Sequence, residues 1–413
     1  MENIRRKMRR FVKLIPFEEA LSRIREAPWR KLPVETIESA GSHGRIAAED
    51  LIARGDVPEW NRSLVDGFAV ISDRCQGASD TNPLTFEING IIEAGSSTFK
   101  KHQEGSCTEI YTGGILPAPY DSVIMAEDVE ITGNLVRIFG ASKPWENVEK
   151  VGEDIRSGST VLRKSEIIRP WHVSALVSSK TSEIKVYSKI RIGVIATGNE
   201  LFEGSQGYIP NTTQNIILNY LSRRFTEVKA AGIAHDSQAE IASMTERALE
   251  ESDVIILTGG TSLGGKDEVP EAMQGFANLV FAGSMIRPGR TLTLYEANGK
   301  PIFSVSGIPI PSLLSLDVFF EEYLKAIMGL EQYRKVVMGR IGQPLSNKAG
   351  YAGIYRIKLV PSTDGNVIEI VKSKGSGTLT SILDSDGTLI VPGNIEGLES
   401  GKVVQVKLYG DNI

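Results

Sequence analysis

The sequence predicts a multidomain α/β protein. A three-layer α/β domain is preceded by helical segments around a β-rich insertion and followed by a C-terminal β-barrel or sandwich. Three observations predict it. From about Lys189 to Met328, short near-continuous apolar runs alternate with helix-spaced segments, the pattern of a parallel sheet covered on both faces. Between Asp50 and Glu149, β-type runs are broken by Gly, Pro and Asn turns. After Met328 the chain is again short β runs separated by turn residues. At 413 residues it exceeds one ordinary hydrophobic core and suits about two to four domains.

Taken in order, "PFEEALSRIREAPWRK" sets Phe17, Ala20, Leu21 and Ile24 at helical spacing, and Pro28 ends the pattern. Runs such as "LTFEING" and "SVIMAEDVEI" then read as strands of the insertion, assigned to residues 51–148. Residues 150–185 are expected to return to helix, with "PWHVSALVSS" opening at a proline. Residues 1–50 and 149–186 thus bracket the insertion as helical segments. In the α/β domain, residues 187–328, the expected strands are "KIRIGVIAT", "VKAAGI", "DVIILT", "LVFAGSM" and "PIFSV". Ser237 with Glu240 three residues on predicts a capping box. "YRIKLV", "NVIEIV", "GTLIVP" and "KVVQVKLY" belong to the barrel, residues 329–413.

Composition narrows the function classes. The chain is 41% hydrophobic and 23% charged, and it has no apolar stretch long enough to span a bilayer. A cytoplasmic protein is expected, with no membrane partner. A formal net charge of −5 argues against a body that coats nucleic acid. Cys75 and Cys107 lack metal-ligand spacing and read as small hydrophobes. His43, His102 and His172 read as structural or surface residues. The N-terminal "MENIRRKMRRFVK", with six basic residues and one acid, lacks a signal-peptide apolar region and reads as a solvated helix start.

"TGGTSLGG" follows the apolar run "DVIIL", and "DEVPEAM" opens the next helix. In an open α/β sheet, ligands collect outside the carboxyl ends of the strands. Gly259, Gly260, Gly264 and Gly265 permit close backbone approach, and Thr258, Thr261 and Ser262 add hydroxyls. Taken alone, this loop suits an anion cradle and a plain tight turn equally well.

Other strand ends weigh on the choice. Glu200 follows "IATG", Asp236 follows "GIAH", and Arg287 and Arg290 follow "LVFAGSMI". Carboxylates at 200, 236 and 267 would repel a phosphate unless a hard cation lay between them. An all-oxygen set suggests Mg²⁺ bridging to substrate phosphate, while the two guanidiniums clamp an oxyanion. Singly, Asp236 and Asp267 read as helix caps and Glu200 as a solvated side chain. Together they favour a metal and phosphate site.

Several separated motifs then carry a resemblance: "NRSLVDGFAV", "YTGGILPAPYDSVIMAEDVEI", "VGEDI", "IATGNEL", "LTGGTSLGGKD", "RPGR", "GKPIFSVSGIP" and "GSGTL". In this order the chain resembles the MoeA-type molybdopterin molybdenumtransferases, the family that includes a domain of gephyrin. The resemblance implies an elongated four-domain homodimer whose α/β domain is MogA-like. It implies Mg²⁺-dependent release of AMP from adenylated molybdopterin, with molybdate or tungstate placed on the pterin. A molybdopterin adenylyltransferase is an implied partner.

By the same resemblance Asp267, Asp236, Glu200, Asp66 and Thr112 are catalytic, the first three also binding the metal. Gly259, Gly260, Thr261, Ser262, Gly264, Arg287, Arg290 and Ser376 bind substrate. Asp66 and Thr112 would complete the site from the partner subunit, although the residues alone suit turns. The chain departs from the family at Arg287-Pro288-Gly289-Arg290-Thr291 (Lys-Pro-Gly-Lys-Pro) and Ser306-Gly307-Ile308-Pro309 (Pro-Gly-Asn-Pro). It also departs at Glu109 and Glu149, where the family has arginines. Those departures leave two rivals: a paralogue that binds molybdopterin or a partner protein without turnover, and an adenylyltransferase, whose family shares the Thr-Gly-Gly-Thr loop.

Overall fold

The apolar runs of the middle third form one six-stranded sheet: β1 (Ile190–Thr197), β2 (Thr226–Ala234), β3 (Val254–Thr258), β4 (Asn278–Ala282), β5 (Thr293–Ala297) and β6 (Lys300–Val305). A computed structural model describes residues 13–96, 100–202, 207–259, 268–371 and 378–409. The strand order is β2-β1-β3-β6-β5-β4. The chain leaves β1 toward β2 and then crosses back to β3, so β1 and β3 flank the topological switch point.

The sheet is not wholly parallel. β2, β1, β3 and β6 run parallel, whereas β5 is antiparallel to both neighbours. The cause is local. Asn298 and Gly299, both at positive φ (53° and 76°), make the two-residue turn that joins β5 to β6 as a hairpin. The segment "TLYEA" is thus a strand that the alternation did not predict.

Five longer helices accompany the sheets: α1 (Phe17–Glu26), α2 (Pro170–Ser178), α3 (Thr212–Leu221), α4 (Gln238–Glu251) and α5 (Pro309–Met328). One face of the six-stranded sheet, with Ile192, Val194, Ile256 and Phe303, packs with α1, α3 and α5. The opposite face, with Ile195, Ile255, Leu257 and Ile302, packs with Ile241 and Leu249 of α4. Alternate residues of the same strands therefore enter two cores, each buried Ile or Leu contributing roughly 1.5–3 kcal/mol. The predicted capping box at α4 does not form. The Ser237 side chain makes no cap bond, and the Glu240 carboxylate instead lies 3.2 Å from His235 Nδ1.

Before this domain, three short ribbons stitch distant segments together. Val34–Glu38 pairs with Glu183–Tyr187, Leu51–Ile52 with Thr160–Leu162, and Arg62–Ser63 with Val148–Glu149. The expected helix over 150–185 is confined to α2; its flanks pair as strands because partners far away in sequence supply the ladder bonds. Between the ribbons stands a six-stranded sheet in the order Ser122–Met125, Gly67–Val70, Ser106–Ile110, Leu84–Ile92, Leu135–Ile138, Val129–Thr132. Cys75 and Cys107 sit in its core as free thiols, and burial pushes them up to about 11 and about 12. They behave as small hydrophobes, as expected.

The C-terminal region closes into a barrel. Ala352–Ser362 pairs in turn with Gly365–Ile370, which pairs with Val336–Ile341, then Val403–Leu408, then Gly387–Val391, and back to Ala352–Ser362. Ile341, Ile357, Ile368, Leu389, Val391 and Val406 fill it. Helix α5 joins the barrel to the α/β domain through a buried polar knot: Asp317 Oδ2 lies 2.7 Å from Arg334 Nη2, and the hydroxyls of Tyr220 and Tyr333 each donate to Asp317 Oδ1 at 2.7 Å. No helix among the described residues is long and apolar enough to cross a membrane.

Candidate functional site at the carboxyl edge of the sheet

The switch point gathers the predicted strand-end residues. β1 ends at Thr197, whose Oγ1 donates to the carbonyl of Thr258 at the end of β3 (3.3 Å). Gly259 follows at φ 105°, and a Cβ there would overlap the Thr197 carbonyl oxygen. Only glycine brings the two strand ends this close. Gly307, after β6, lies against Gly259, and its carbonyl accepts from Thr213 Oγ1 of α3 at 2.6 Å. The helices α3, α4 and α5 all begin at this edge, so the positive ends of three helix dipoles point toward it.

Two of the three predicted carboxylates are here. Asp236 Oδ2 accepts from Asn199 N (3.4 Å), and Asn199 Oδ1 accepts from Asp236 N (3.2 Å). That reciprocal pair ties the end of β1 to the end of β2. Glu200 folds its carboxylate over Gly198, where a Cβ would come within 2.6 Å of Oε1. Both acids are exposed, and among the described residues neither pairs with a lysine or arginine. Hard oxygen donors in a cradle kept open by a glycine suit a hard divalent cation. Among the described residues no three of His, Cys, Asp or Glu converge as a ligand set. Asp267, the predicted third acid, lies outside the described residues, as do Gly260, Thr261, Ser262, Gly264 and Ser376.

The guanidinium loop belongs to the same edge by a different route. Ile286–Arg287 pairs with Ala352 and Gly353 of the barrel rather than extending the α/β sheet. The loop then turns back onto α5: a Cβ on Gly289 would overlap Ser315 and come within 2.6 Å of the Pro311 carbonyl. Arg287 and Arg290 are therefore held beside the first turns of the helix that starts next to Gly307. Both are exposed.

Asp66 and Thr112 meet each other, in the insertion. Asp66 Oδ1 accepts from both Thr112 N and Thr112 Oγ1, each at 2.7 Å. The backbone bond first, and then the hydroxyl, hold the Asp66 carboxyl below its usual range. No bond among the described residues joins this pair to the strand-end acids of the same chain. A carboxylate depressed in this way adds stability above its unfolded value, and the contribution is lost as pH falls through its folded value. Thr112→Val keeps the backbone donor and removes the hydroxyl. Asp66 should then titrate higher than in the parent yet still below an ordinary aspartate, as followed by NMR; an unchanged titration would show that the hydroxyl does nothing.

Sequence reasoning missed Asn199, whose role arises only when β1 and β2 lie side by side. It also missed the aromatic pair at the mouth, where Phe202 stacks on His235 with ring centroids 3.8 Å apart and planes 7° from parallel. His235 directly precedes Asp236 in the chain.

Comparison with known proteins agrees with this architecture. Residues 15–179 match the MoeA N-terminal region (domain I and II), residues 193–326 the "Probable molybdopterin binding domain", and residues 339–409 the MoeA C-terminal region (domain IV). A protein of Methanocaldococcus jannaschii assigned to molybdopterin biosynthesis is 30% identical over 91% of this chain and 92% of its own. A molybdopterin molybdenumtransferase of Staphylococcus epidermidis is 29% identical over 90% of each. A crystal structure of the molybdopterin biosynthesis MoeA protein of Pyrococcus horikoshii superposes with a TM-score of 0.81 at 27% identity, covering 96% of this chain and all of that one. The chain described here belongs to the MoeA family.

Proposed function

We propose that the protein is a molybdopterin molybdenumtransferase, inserting molybdate or tungstate into adenylated molybdopterin with Mg²⁺-dependent release of AMP. The observation that carries this reading is the meeting of strand-end acids, three helix N-termini and a guanidinium loop at one edge of the sheet, in a chain related to molybdopterin molybdenumtransferases over nearly its whole length.

In this reading the strand-end residues divide the work. Glu200, Asp236 and Asp267 would hold the divalent cation. When bound, it supplies positive charge to the phosphoanhydride and to the leaving AMP oxygen. The loop from Gly259 through Gly264, with Thr261 and Ser262, cradles phosphate against backbone N–H groups. Water adds to phosphorus as the bond to the leaving phosphate oxygen breaks, giving AMP and a pterin that keeps its own phosphate. Arg287 and Arg290 hold the oxyanion, and Ser376 contacts substrate. The enzyme works as a cytoplasmic homodimer in which Asp66 of the partner subunit and Thr112 of the partner subunit reach the site, receiving its substrate from a molybdopterin adenylyltransferase.

One of the two acidic departures is offset locally. Glu149 is paired with Arg62 Nε at 2.6 Å, whereas Glu109 accepts from the neutral Tyr111 hydroxyl at 3.0 Å and keeps its charge.

The test is to incubate purified protein with adenylated molybdopterin, Mg²⁺ and each oxyanion in turn, measuring AMP and the metal retained on the pterin. Oxyanion-linked AMP release with metal retained is expected. Tight pterin binding without AMP would make the protein a binder, and adenylate formed from ATP and molybdopterin would make it an adenylyltransferase.

A further inference from the structure

A one-residue step in the sheet decides where Asp236 stands. Along the first part of the β1–β2 ladder Ile190 pairs with Thr226 and Val194 with Ala230; beyond it Ile195 pairs with Gly232 and Thr197 with Ala234. Ala231 is thus an extra residue in β2, a β-bulge. Burial records the same step. Ala231 and Ala234, three residues apart, both pack into the core shared with α4, which the period of two in a regular strand forbids. Gly232 follows the extra residue at φ 119°, and a Cβ there would overlap Met244 of α4.

The step sets the pairing at the strand ends. Continued without it, the ladder would bring His235 to Asn199 and turn Asp236 to the other face of the strand. With it, Asp236 exchanges its two bonds with Asn199 and joins the edge that carries Glu200.

One side chain fills the step. Gln214, in the first turn of α3 and only 6% exposed, donates from Nε2 to two carbonyls, Val194 O of β1 at 2.8 Å and Gly232 O of β2 at 3.1 Å. Both amide hydrogens are used, and Oε1 accepts from Asn211 Nδ2 at 2.7 Å. The reversed amide would set an oxygen against two carbonyl oxygens, so chemistry fixes its orientation. Asn211 Oδ1 in turn accepts from Gln214 N at 3.3 Å, seating the start of the helix. A bulge leaves ladder groups without their usual partners. Here a glutamine from the covering helix supplies the donors.

We infer that Gln214 is a positioning residue for the acid pair: by bridging β1 and β2 at the bulge, it holds the register that places Asp236 at the cation-binding edge. Its effect on the cation rests on the proposed function. Gln214 acts only through the backbone of the two strands.

The experiment compares full-length parent, Gln214→Met and Ile217→Val. Methionine keeps the length of glutamine and lacks both donors. Ile217→Val trims a fully buried residue of the same helix and leaves the bridge intact. Hydrogen exchange is followed over residues 194–199 and 230–236, binding of Mn²⁺ alone by electron paramagnetic resonance, and AMP release against Mg²⁺ concentration. In Gln214→Met, exchange over both segments should be at least about tenfold faster than in Ile217→Val. Mn²⁺ affinity should fall about 10–100-fold, the range for groups that orient metal ligands. The Mg²⁺ needed for half-maximal AMP release should rise in parallel, with the KM for adenylated molybdopterin held. Asn211→Ala keeps both donors but removes their support; it should give smaller shifts of the same sign, and it carries the test if Gln214→Met does not fold.

Exchange and Mn²⁺ binding in Gln214→Met that match Ile217→Val would overturn the role of Gln214 while leaving the proposed function standing. Faster exchange with unchanged Mn²⁺ binding and Mg²⁺ dependence would overturn it too, because the register would then not reach the acids. A parent that binds no Mn²⁺ and releases no AMP would remove the proposed function, and the exchange comparison alone would decide whether Gln214 holds the register.

Discussion

Asp317→Ala is expected to destabilise the protein by about 3–5 kcal/mol, the cost of breaking a buried ion pair from one side. Asp317 and Arg334 have side chains only 3% and 2% exposed. Removing the carboxylate strands the guanidinium in a desolvated site and leaves the hydroxyls of Tyr220 and Tyr333 without their acceptor. The two orphaned hydroxyls, at roughly 1–3 kcal/mol each, make up part of that loss. Burial first, and then the Asp317 charge, raise both tyrosines well above their ordinary range, so they stay protonated and act as donors. Glu321, 3.7 Å from Arg334, offers only partial compensation, because it also holds Lys407.

The reverse experiment distinguishes charge from packing. The double replacement Asp317→Leu with Arg334→Met removes both charges and should recover much of the loss, since well-packed apolar side chains often substitute for a buried pair. Trp29, which packs edge-on against Tyr323 of α5 at 5.4 Å, provides a fluorescence reporter for denaturant titrations. A loss below about 1 kcal/mol in Asp317→Ala would contradict the assignment. Since α5 begins at the candidate site and carries this knot farther along, loosening it should also displace the guanidinium loop, which packs on α5 at Ser315, from the strand edge.

Much of the fold was legible because its signals are local. Fully buried strands such as Val254–Thr258 and the helical stripe of α5 follow different periods, and their alternation declares an α/β layer. Where the reading failed, a competing contact had won. "TLYEA" escapes the strand and helix alternation because the Asn298-Gly299 turn folds it directly back on β6 as a hairpin, with no helix between the two strands. The capping box at Ser237 lost its Glu240 to His235, a partner that lies just outside the motif. The ribbons of the linker were invisible, since Val34–Glu38 finds its partner on the far side of the whole insertion.

The site divides in the same manner. Thr197, Glu200, Asp236 and Gly259 could be placed from the rule that ligands gather at strand ends. Asn199 could not, because it acquires its role only from Asp236, a neighbour distant in sequence. Arg287 and Arg290 were expected at a strand end of the α/β sheet. They do lie in the loop between β4 and β5, where Ile286–Arg287 pairs with the barrel instead of extending the α/β sheet.

The central claim is that acids from separate strand ends act on one nucleotide-linked ligand, and the most direct measurement is AMP release by Asp236→Ala and Asp267→Ala. Asp236 is exposed, and among the described residues its side chain accepts one long bond, from Asn199 N, so its removal costs little stability. Loss of a ligand for the catalytic cation should instead act on the transition state, where charge develops on the leaving phosphate. Each variant is expected to release AMP from adenylated molybdopterin at least about 100-fold more slowly than the parent at saturating Mg²⁺, with an unchanged thermal midpoint. AMP release at the parental rate in both folded variants would contradict the account.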